Sequence, residues 1–481
     1  MFLSKEYLII LIISLLLFYT LPKKYRACVL LITSLLYIST LSLKSLFCAL
    51  MINLLTYYSG KKIEENICQG NKQKAQKVKI LSLCVIISII CFYKIIGYIT
   101  KLNIVSLEGD NFLQKIVIPI GLSFYIFQDY SYLTDVANGQ NKAEKSIVKF
   151  LLYSTFFAKF TSGPIENNSK FNESIDKLES VRLFDENRIL YAFQCILFGT
   201  FFKLVVAARL EQFVNSIWDG TATLPAIWLI IGAILYSIQI YTDFAGYTYF
   251  AKGTAKLFGI DLTWNFMAPY MESGIAEFWR KWHISLSNFL KKYIYIPLGG
   301  NRQGILKKCI NTMIVFLICG IWHGNGIHFV IWGLLHGFFS IIESLFKKRA
   351  RWLFSGLLGW MITFIEVTFA WIFFRAESIS QAVNYLLAIC TKEILPKDQF
   401  LVTGESIGLP LVEIKVTLAI ISIVFLHDLI IKVKKEQIVE IMMKKNIMIN
   451  LIVAYLIIVL VVIFGIYGPG LQMNDFIYMQ F

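Results

Sequence analysis

Two of the five histidines in this 481-residue chain are flanked by tryptophan, in Phe278-Trp-Arg-Lys-Trp-His-Ile-Ser-Leu-Ser287 and in Gly320-Ile-Trp-His-Gly324. An imidazole held away from water stays neutral and keeps a lone pair that can take a hydroxyl proton, which is general-base chemistry on an alcohol. His323 stands roughly fifteen residues beyond the basic pair Lys307-Lys308, about 20 Å inward at 1.5 Å per residue, a depth at which ionisable groups mark functional paths. His323 and His283 are therefore the candidates for proton transfer, and His328, His336 and His427 read as hydrogen-bonded packing residues. A metal site is not expected. On a continuous helix His323 and His336 would lie about 20 Å apart and His323 and His328 would point about 140° apart, unlike the i, i+4 pair of a zinc helix. The nine cysteines form no Cys-x-x-Cys pair and read as small hydrophobes.

The elements that position these groups must be membrane helices. Hydrophobic residues make up 57% of the chain and charged residues 16%, with a mean hydropathy of +0.65, more apolar surface than a water-soluble fold can bury. Tyr7 to Leu21, Ile80 to Tyr93, Ala226 to Ile240, Leu353 to Phe374, Val416 to Leu426 and Ile447 to Ile466 are apolar on nearly every face. The reading is an all-α polytopic membrane protein of about 10–12 helices, some too short to cross alone. The first run lacks a small-residue cleavage site and reads as a retained helix. Glu366 interrupts one run and is expected to be a buried carboxylate, which calls for a partner. The net charge of +15 falls in short segments between runs (Lys23 to Arg26, Lys61 to Lys79, Arg280 to Lys308, Lys347 to Arg351, Lys432 to Lys445), as the positive-inside rule requires, so nucleic acid is not the expected partner. Threaded this way, the N-terminus and the tail from Pro469 to Phe481 lie outside, and the basic turns face the cytoplasm.

No repeat or polar linker divides the chain, which suggests one membrane domain over 1–468 and an extracytoplasmic tail over 469–481. Residues 251–308 combine aromatic, basic and Gly/Pro signals. There Ser273 is expected to cap a helix over Ile275 to Tyr293, with Trp279 and His283 on one face, and Pro297-Leu-Gly-Gly300 is expected to end it. Irregular backbone at membrane depth survives only beside protein or a water-filled cavity, so this region suggests a funnel. Arg280, Lys281, Lys291, Lys292, Arg302, Lys307 and Lys308 would ring its mouth, either as topology signals or to capture an acidic carrier or phosphate-bearing donor.

Read together, Pro119-Ile-Gly-Leu-Ser-Phe-Tyr-Ile-Phe-Gln128 with Asp135, Ser162-Gly-Pro164, Gln239-Ile-Tyr-Thr-Asp-Phe-Ala-Gly246, Asn265 to Tyr270, Glu277 to Arg302, Gly320 to Gly337 and Phe369-Ala-Trp-Ile-Phe-Phe-Arg-Ala376 resemble the membrane-bound O-acyltransferases. The resemblance is to their bacterial branch of alginate O-acetylation and D-alanyl teichoic-acid transfer proteins, closer to the alginate type. It implies a ring of helices with re-entrant segments around a central tunnel in a bacterial cytoplasmic membrane. It implies that His323 is catalytic with His283 at a second polar position, and that Trp279, Arg280, Trp282, Trp322, Gln128 and Asp243 contact substrate. No bound cofactor is implied. The donor would be an acyl thioester, acetyl-CoA or acyl carrier protein, the acceptor a cell-envelope polysaccharide such as alginate, and the onward partner an extracytoplasmic SGNH-type acyltransferase. Ala245 and Tyr249-Phe-Ala-Lys252 depart from the alginate-type pattern.

Phe476-Ile-Tyr-Met-Gln-Phe481 resembles a terminal tyrosine motif that holds an acyl group transiently in the teichoic-acid system. Nine residues from Pro469 to Tyr478 span about 30 Å when extended, so Tyr478 could enter such a tunnel from outside as an acyl relay, or serve as an interfacial anchor. D-alanyl transfer is the alternative reaction. A transporter or flippase is the alternative class, and it gives no reason for the Trp-His pairs.

Overall fold

The computed structural model describes residues 4–101, 118–394 and 403–467, and all regular structure among them is helical. Nine helices among the described residues are long and apolar enough to cross a membrane, which makes the chain a multi-pass membrane protein. The chain gathers into two compact units, one of Met1–Phe193 with Ala251–Trp264 and one of Gln194–Phe250 with Asn265–Phe481.

The first unit is built on α1 (Lys5–Thr20), α2 (Arg26–Leu41), α3 (Leu43–Cys68), α4 (Lys72–Lys101), α5 (Leu122–Ala137), α6 (Ile147–Thr155) and α7 (Asn168–Asp176), with the start of α8 (Glu186–Thr200). Short polar residues start the helices where the sequence breaks: Ser4, Ser42 and Ser146 each accept a backbone N–H of the first turn. Aromatic edges close the core, with Tyr7 perpendicular to Tyr37 and Phe18 to Phe258. A polar layer crosses this unit. Lys159, almost fully buried, donates to Gln128 Oε1 and lies 5.0 Å from the centre of the Tyr153 ring. Tyr153 in turn donates to the Glu166 carbonyl at 2.9 Å. Asn167 donates to Asp135 Oδ2 at 3.1 Å. The motif residues Gln128 and Gly163 thus meet a buried lysine that the sequence did not single out, Gln128 through its side-chain oxygen and Gly163 through an N–H donated to the Lys159 carbonyl at 3.0 Å.

The second unit contains α9 (Ala208–Asp219), most of α10 (Ala226–Leu257), the short α11 (Ile275–Lys281) and α12 (Ile284–Leu290), then α13 (Gly304–His323), α14 (Ile327–Phe346), α15 (Gly356–Arg375), α16 (Ile379–Thr391), α17 (Leu411–Lys434), α18 (Ile438–Met443) and α19 (Ile447–Phe464). Helices α13 and α14 form an antiparallel pair whose backbones nearly touch. A Cβ on Gly333 would lie 2.3 Å from the Phe316 carbonyl oxygen, and one on Gly320 would lie 2.4 Å from that of Phe329. Small residues permit this approach where helices meet in lipid, and the contact fixes the height of His323 at the end of α13.

The expected Glu366 sits mid-way along α15 and is only half-buried. Pro297-Leu-Gly-Gly300 does end a helical segment, with Gly299 at φ 103° and Gly300 at φ 58°. Substituting Gly333 by Val forces the α13–α14 backbones apart. Overpacking of this kind costs about 1–3 kcal/mol, so a thermal melt of the purified variant should show a clear fall in midpoint.

Candidate active site

The segment bearing His283 is held from its first residue by a neighbouring helix. Gly274, at φ 99°, precedes α11, and its N–H donates to Thr363 Oγ1 at 2.6 Å. The next free N–H, that of Ala276, donates to Glu343 Oε2 of α14 at 2.9 Å, while Glu343 Oε1 accepts from Lys347 at 2.6 Å. A side chain at position 274 would collide with Glu343, its Cβ 2.5 Å from Oε1. A carboxylate at a helix start satisfies donors that have no partner inside the helix. Ser273 does not perform this role; its hydroxyl donates to the Gly356 carbonyl at 3.0 Å.

The single helix expected over Ile275 to Tyr293 is broken in two. Trp282 is extended and His283 takes left-handed backbone angles of φ 42° and ψ 55° between α11 and α12. Asn265 supplies the bonds that the break removes. Its carbonyl accepts the Ile284 N–H at 2.9 Å, and its side-chain Oδ1 accepts the Ser285 N–H at 3.3 Å and the Ser285 hydroxyl at 2.7 Å. Lys281 returns its carbonyl to Met267 N–H at 3.1 Å. The break turns His283 away from Trp279, so the two do not share a face. Trp279 Nε1 donates instead to His336 Nδ1 at 3.3 Å.

What the break achieves is the meeting of two imidazoles. His283 and His323 have ring centres 6.5 Å apart, and both side chains are buried. Trp322 flanks both, at 6.0 Å from His283 and 4.7 Å from His323. Phe244 of α10 stands edge-on to His283 at 4.7 Å. Trp332 of α14 and Phe374 of α15 enclose His323 at 4.9 and 5.4 Å. Five segments of the chain therefore converge on one aromatic-walled pair of imidazole rings.

The other expected site residues fall at different places. Trp282 is nearly fully buried, packed on Phe278, Phe266 and Trp371, and acts as the pivot of the break. Trp279 packs on Trp332, one ring removed from His323. Arg280 is exposed and pairs with Glu277 on the surface of α11. Asp243 is buried and pairs with Lys203 at 2.5 Å. Gln128 belongs to the first unit, on Lys159. Tyr478 lies outside the described residues. His328 Nδ1 meets the Phe373 carbonyl at 3.1 Å, and His427 lies between Asp428 at 2.9 Å and the Tyr249 hydroxyl at 3.0 Å, so both are hydrogen-bonded within the packing. Asn265 and Glu343 are the supporting residues whose roles the sequence left unread. Glu343 carried a signal, being an acidic residue in an apolar run; Asn265 stood only within a motif of the resemblance, and its bonds reach across nineteen and twenty residues, which no local pattern reveals.

A family model, the membrane-bound O-acyltransferase (MBOAT) family, matches residues 27–380, and the chain belongs to that family. It is 33% identical over 336 residues to the peptidoglycan O-acetyltransferase of Helicobacter pylori, an alignment covering 64% of this chain and 63% of that protein. It is 33% identical over 313 residues to "Probable alginate O-acetylase AlgI" of Pseudomonas aeruginosa, covering 64% and 59%. The match to the teichoic acid D-alanyltransferase of Bacillus subtilis is 27% over 281 residues, covering 54% and 69%. The chain thus spans a little under two thirds of the length of the first two relatives.

The left-handed backbone at 283 separates two roles of that residue. Asparagine tolerates this conformation and a β-branched residue does not, at roughly 1–2 kcal/mol. His283→Asn should melt close to the unaltered protein and His283→Val several degrees below it, as read by thermal denaturation of the purified variants.

Proposed function

We propose that the chain is an O-acyltransferase that moves an acyl group, acetyl by preference, from a cytoplasmic thioester toward a cell-envelope polysaccharide outside a bacterial cytoplasmic membrane. The observation that carries this reading is the buried His283–His323 pair, with ring centres 6.5 Å apart inside an aromatic wall. An oxygen placed between the rings would lie within hydrogen-bonding reach of both. His323 takes the proton of an acceptor hydroxyl, and the oxygen bonds to the thioester carbonyl carbon. The carbon–sulfur bond then breaks, and the departing thiolate takes the proton from the imidazolium. His283 positions the acceptor oxygen or the carbonyl. The donor is acetyl-CoA or an acyl carrier protein, and nothing else need be bound for this chemistry.

The acceptor hydroxyl is the phenol of Tyr478 in the relay form of this reading. The acyl-tyrosine then hands its group to an extracytoplasmic SGNH-type transferase, which acylates the polymer. Support comes from the sequence Phe476-Ile-Tyr-Met-Gln-Phe481 and from the charge pattern that puts this tail outside. The similarity to a teichoic acid D-alanyltransferase favours D-alanine as the second candidate acyl group.

His323→Ala should insert and fold yet lower acyl transfer by about 10²–10⁴-fold, the usual contribution of a general base. Mass-resolved envelope polysaccharide from cells carrying each form measures this, and the mass added separates acetate from alanine. Transfer that survives the substitution favours a protein that only moves a lipid-linked sugar. Tyr478→Phe keeps an aromatic anchor and removes the phenol, so it should abolish polymer acylation; unchanged acylation in that variant removes the relay and leaves His323 in place.

A further inference from the structure

We propose that a basic cleft in the unit Met1–Phe193/Ala251–Trp264 binds a phosphate ester at the cytoplasmic face, the headgroup of an anionic phospholipid or a soluble phosphorylated molecule. The cleft has a volume of about 480 Å³ and is lined by Lys177, Ser180, Arg182, Asp185, Arg188 and Lys256, with Phe184 at its edge. Four cations face one carboxylate. Asp185 is already engaged, accepting the Arg188 N–H at 3.0 Å as the cap of α8, and Lys256 pairs with Asp261 at 2.9 Å. Lys177 and Arg182 are exposed, and among the described residues neither joins an ion pair. Their charge is available to an incoming anion.

The cleft is a built feature. Two buried arginines hold its wall by the carbonyls. Arg26 donates to Leu178 at 2.5 Å and Val181 at 2.8 Å, and Arg188 donates to the carbonyls of Arg182, Leu183 and Leu257. Gly259, with φ +79°, lets Val181 lie against the backbone where a Cβ would be 2.5 Å from its methyl. A guanidinium is costly to bury, and hydrogen bonds to carbonyls are what retain it there. The segment carrying Lys177 and Arg182 is thereby held in one conformation before any ligand arrives. Arg26 also fastens it to the turn Lys23–Tyr25, which the charge pattern assigns to the cytoplasm.

Phe184 is 85% and Leu183 49% exposed beside these cations. An apolar tip next to a cationic cleft suits an anionic lipid, with phosphate in the cleft and chain along the tip, as in basic pockets that take lipid headgroups. The volume also admits a nucleotide-sized phosphate ester.

The test uses the full-length purified protein and native mass spectrometry with phosphatidylglycerol, with diacylglycerol as the phosphate-free control, and with adenosine 3′,5′-bisphosphate as the soluble probe. Phosphatidylglycerol should bind saturably and diacylglycerol should not. K177E/R182E should weaken binding by about tenfold or more, whereas K72E/K74E, an equal charge change on another exposed segment, should leave it unaltered. Bisphosphate that displaces the lipid, or binds alone with the same dependence on Lys177 and Arg182, supports the site and names a soluble source. Binding of neither probe, or equal loss in both double variants, overturns it. Thermal melts check that each variant folds; should K177E/R182E fail, Lys177→Gln and Arg182→Gln are read by the same criteria.

Discussion

Lipid offers no hydrogen bond to a peptide group, so a helix can be broken at membrane depth only where protein supplies every donor and acceptor that the break releases. The arrangement of the second unit follows from that constraint at one place, residues 282–285. Asn265 supplies an acceptor on its backbone and another on its side chain, Glu343 supplies one at the start of α11, and Trp282 fills the volume where the chain turns. With these in place His283 can adopt a backbone conformation that costs other residues free energy, and its ring faces Phe244 and His323. Take away the acceptors and the segment has one economical alternative, a continuous helix that points His283 elsewhere.

A second requirement is height. His323 terminates α13, so its position relative to His283 depends on how far α13 and α14 interpenetrate. Gly320 and Gly333 set this through backbone contact rather than through side-chain packing. Contacts between backbones yield less than contacts between flexible side chains, so the register of the two helices has little play. The aromatic wall then forms from residues already at the correct level: Trp322 from α13, Trp332 from α14 and Phe374 from α15.

The legible parts of this chain were those determined by composition over many residues. Continuous apolar runs of membrane length carry their meaning locally. The break at His283 did not, because Ile275 to Tyr293 contains no glycine or proline and reads as one helix; the bonds that favour the break come from Asn265, distant in sequence. The termination at Pro297-Leu-Gly-Gly300 was readable for the opposite reason, since Gly299 and Gly300 carry the positive φ values themselves. Among acidic residues in apolar runs, Glu366 drew attention and is half-open, while Glu343 went unnoticed and holds the start of the His283 segment. Lys159 was hidden similarly: a buried lysine is identified by the Gln128 carbonyl and the rings around it, which no local pattern reveals.

The bond between Trp279 and His336 also decides where a hydrogen resides. An indole nitrogen can only donate, so the Nδ1 atom of His336 that receives it must be bare, and the neutral ring then carries its hydrogen on Nε2. Its remaining lone pair is consumed by the indole. Although His336 is embedded in the same aromatic cluster, one ring from His323 through Trp332, it is left with nothing to offer a departing proton. A tryptophan thus removes one imidazole from those in the cluster that could accept a proton, and leaves the paired rings of His283 and His323.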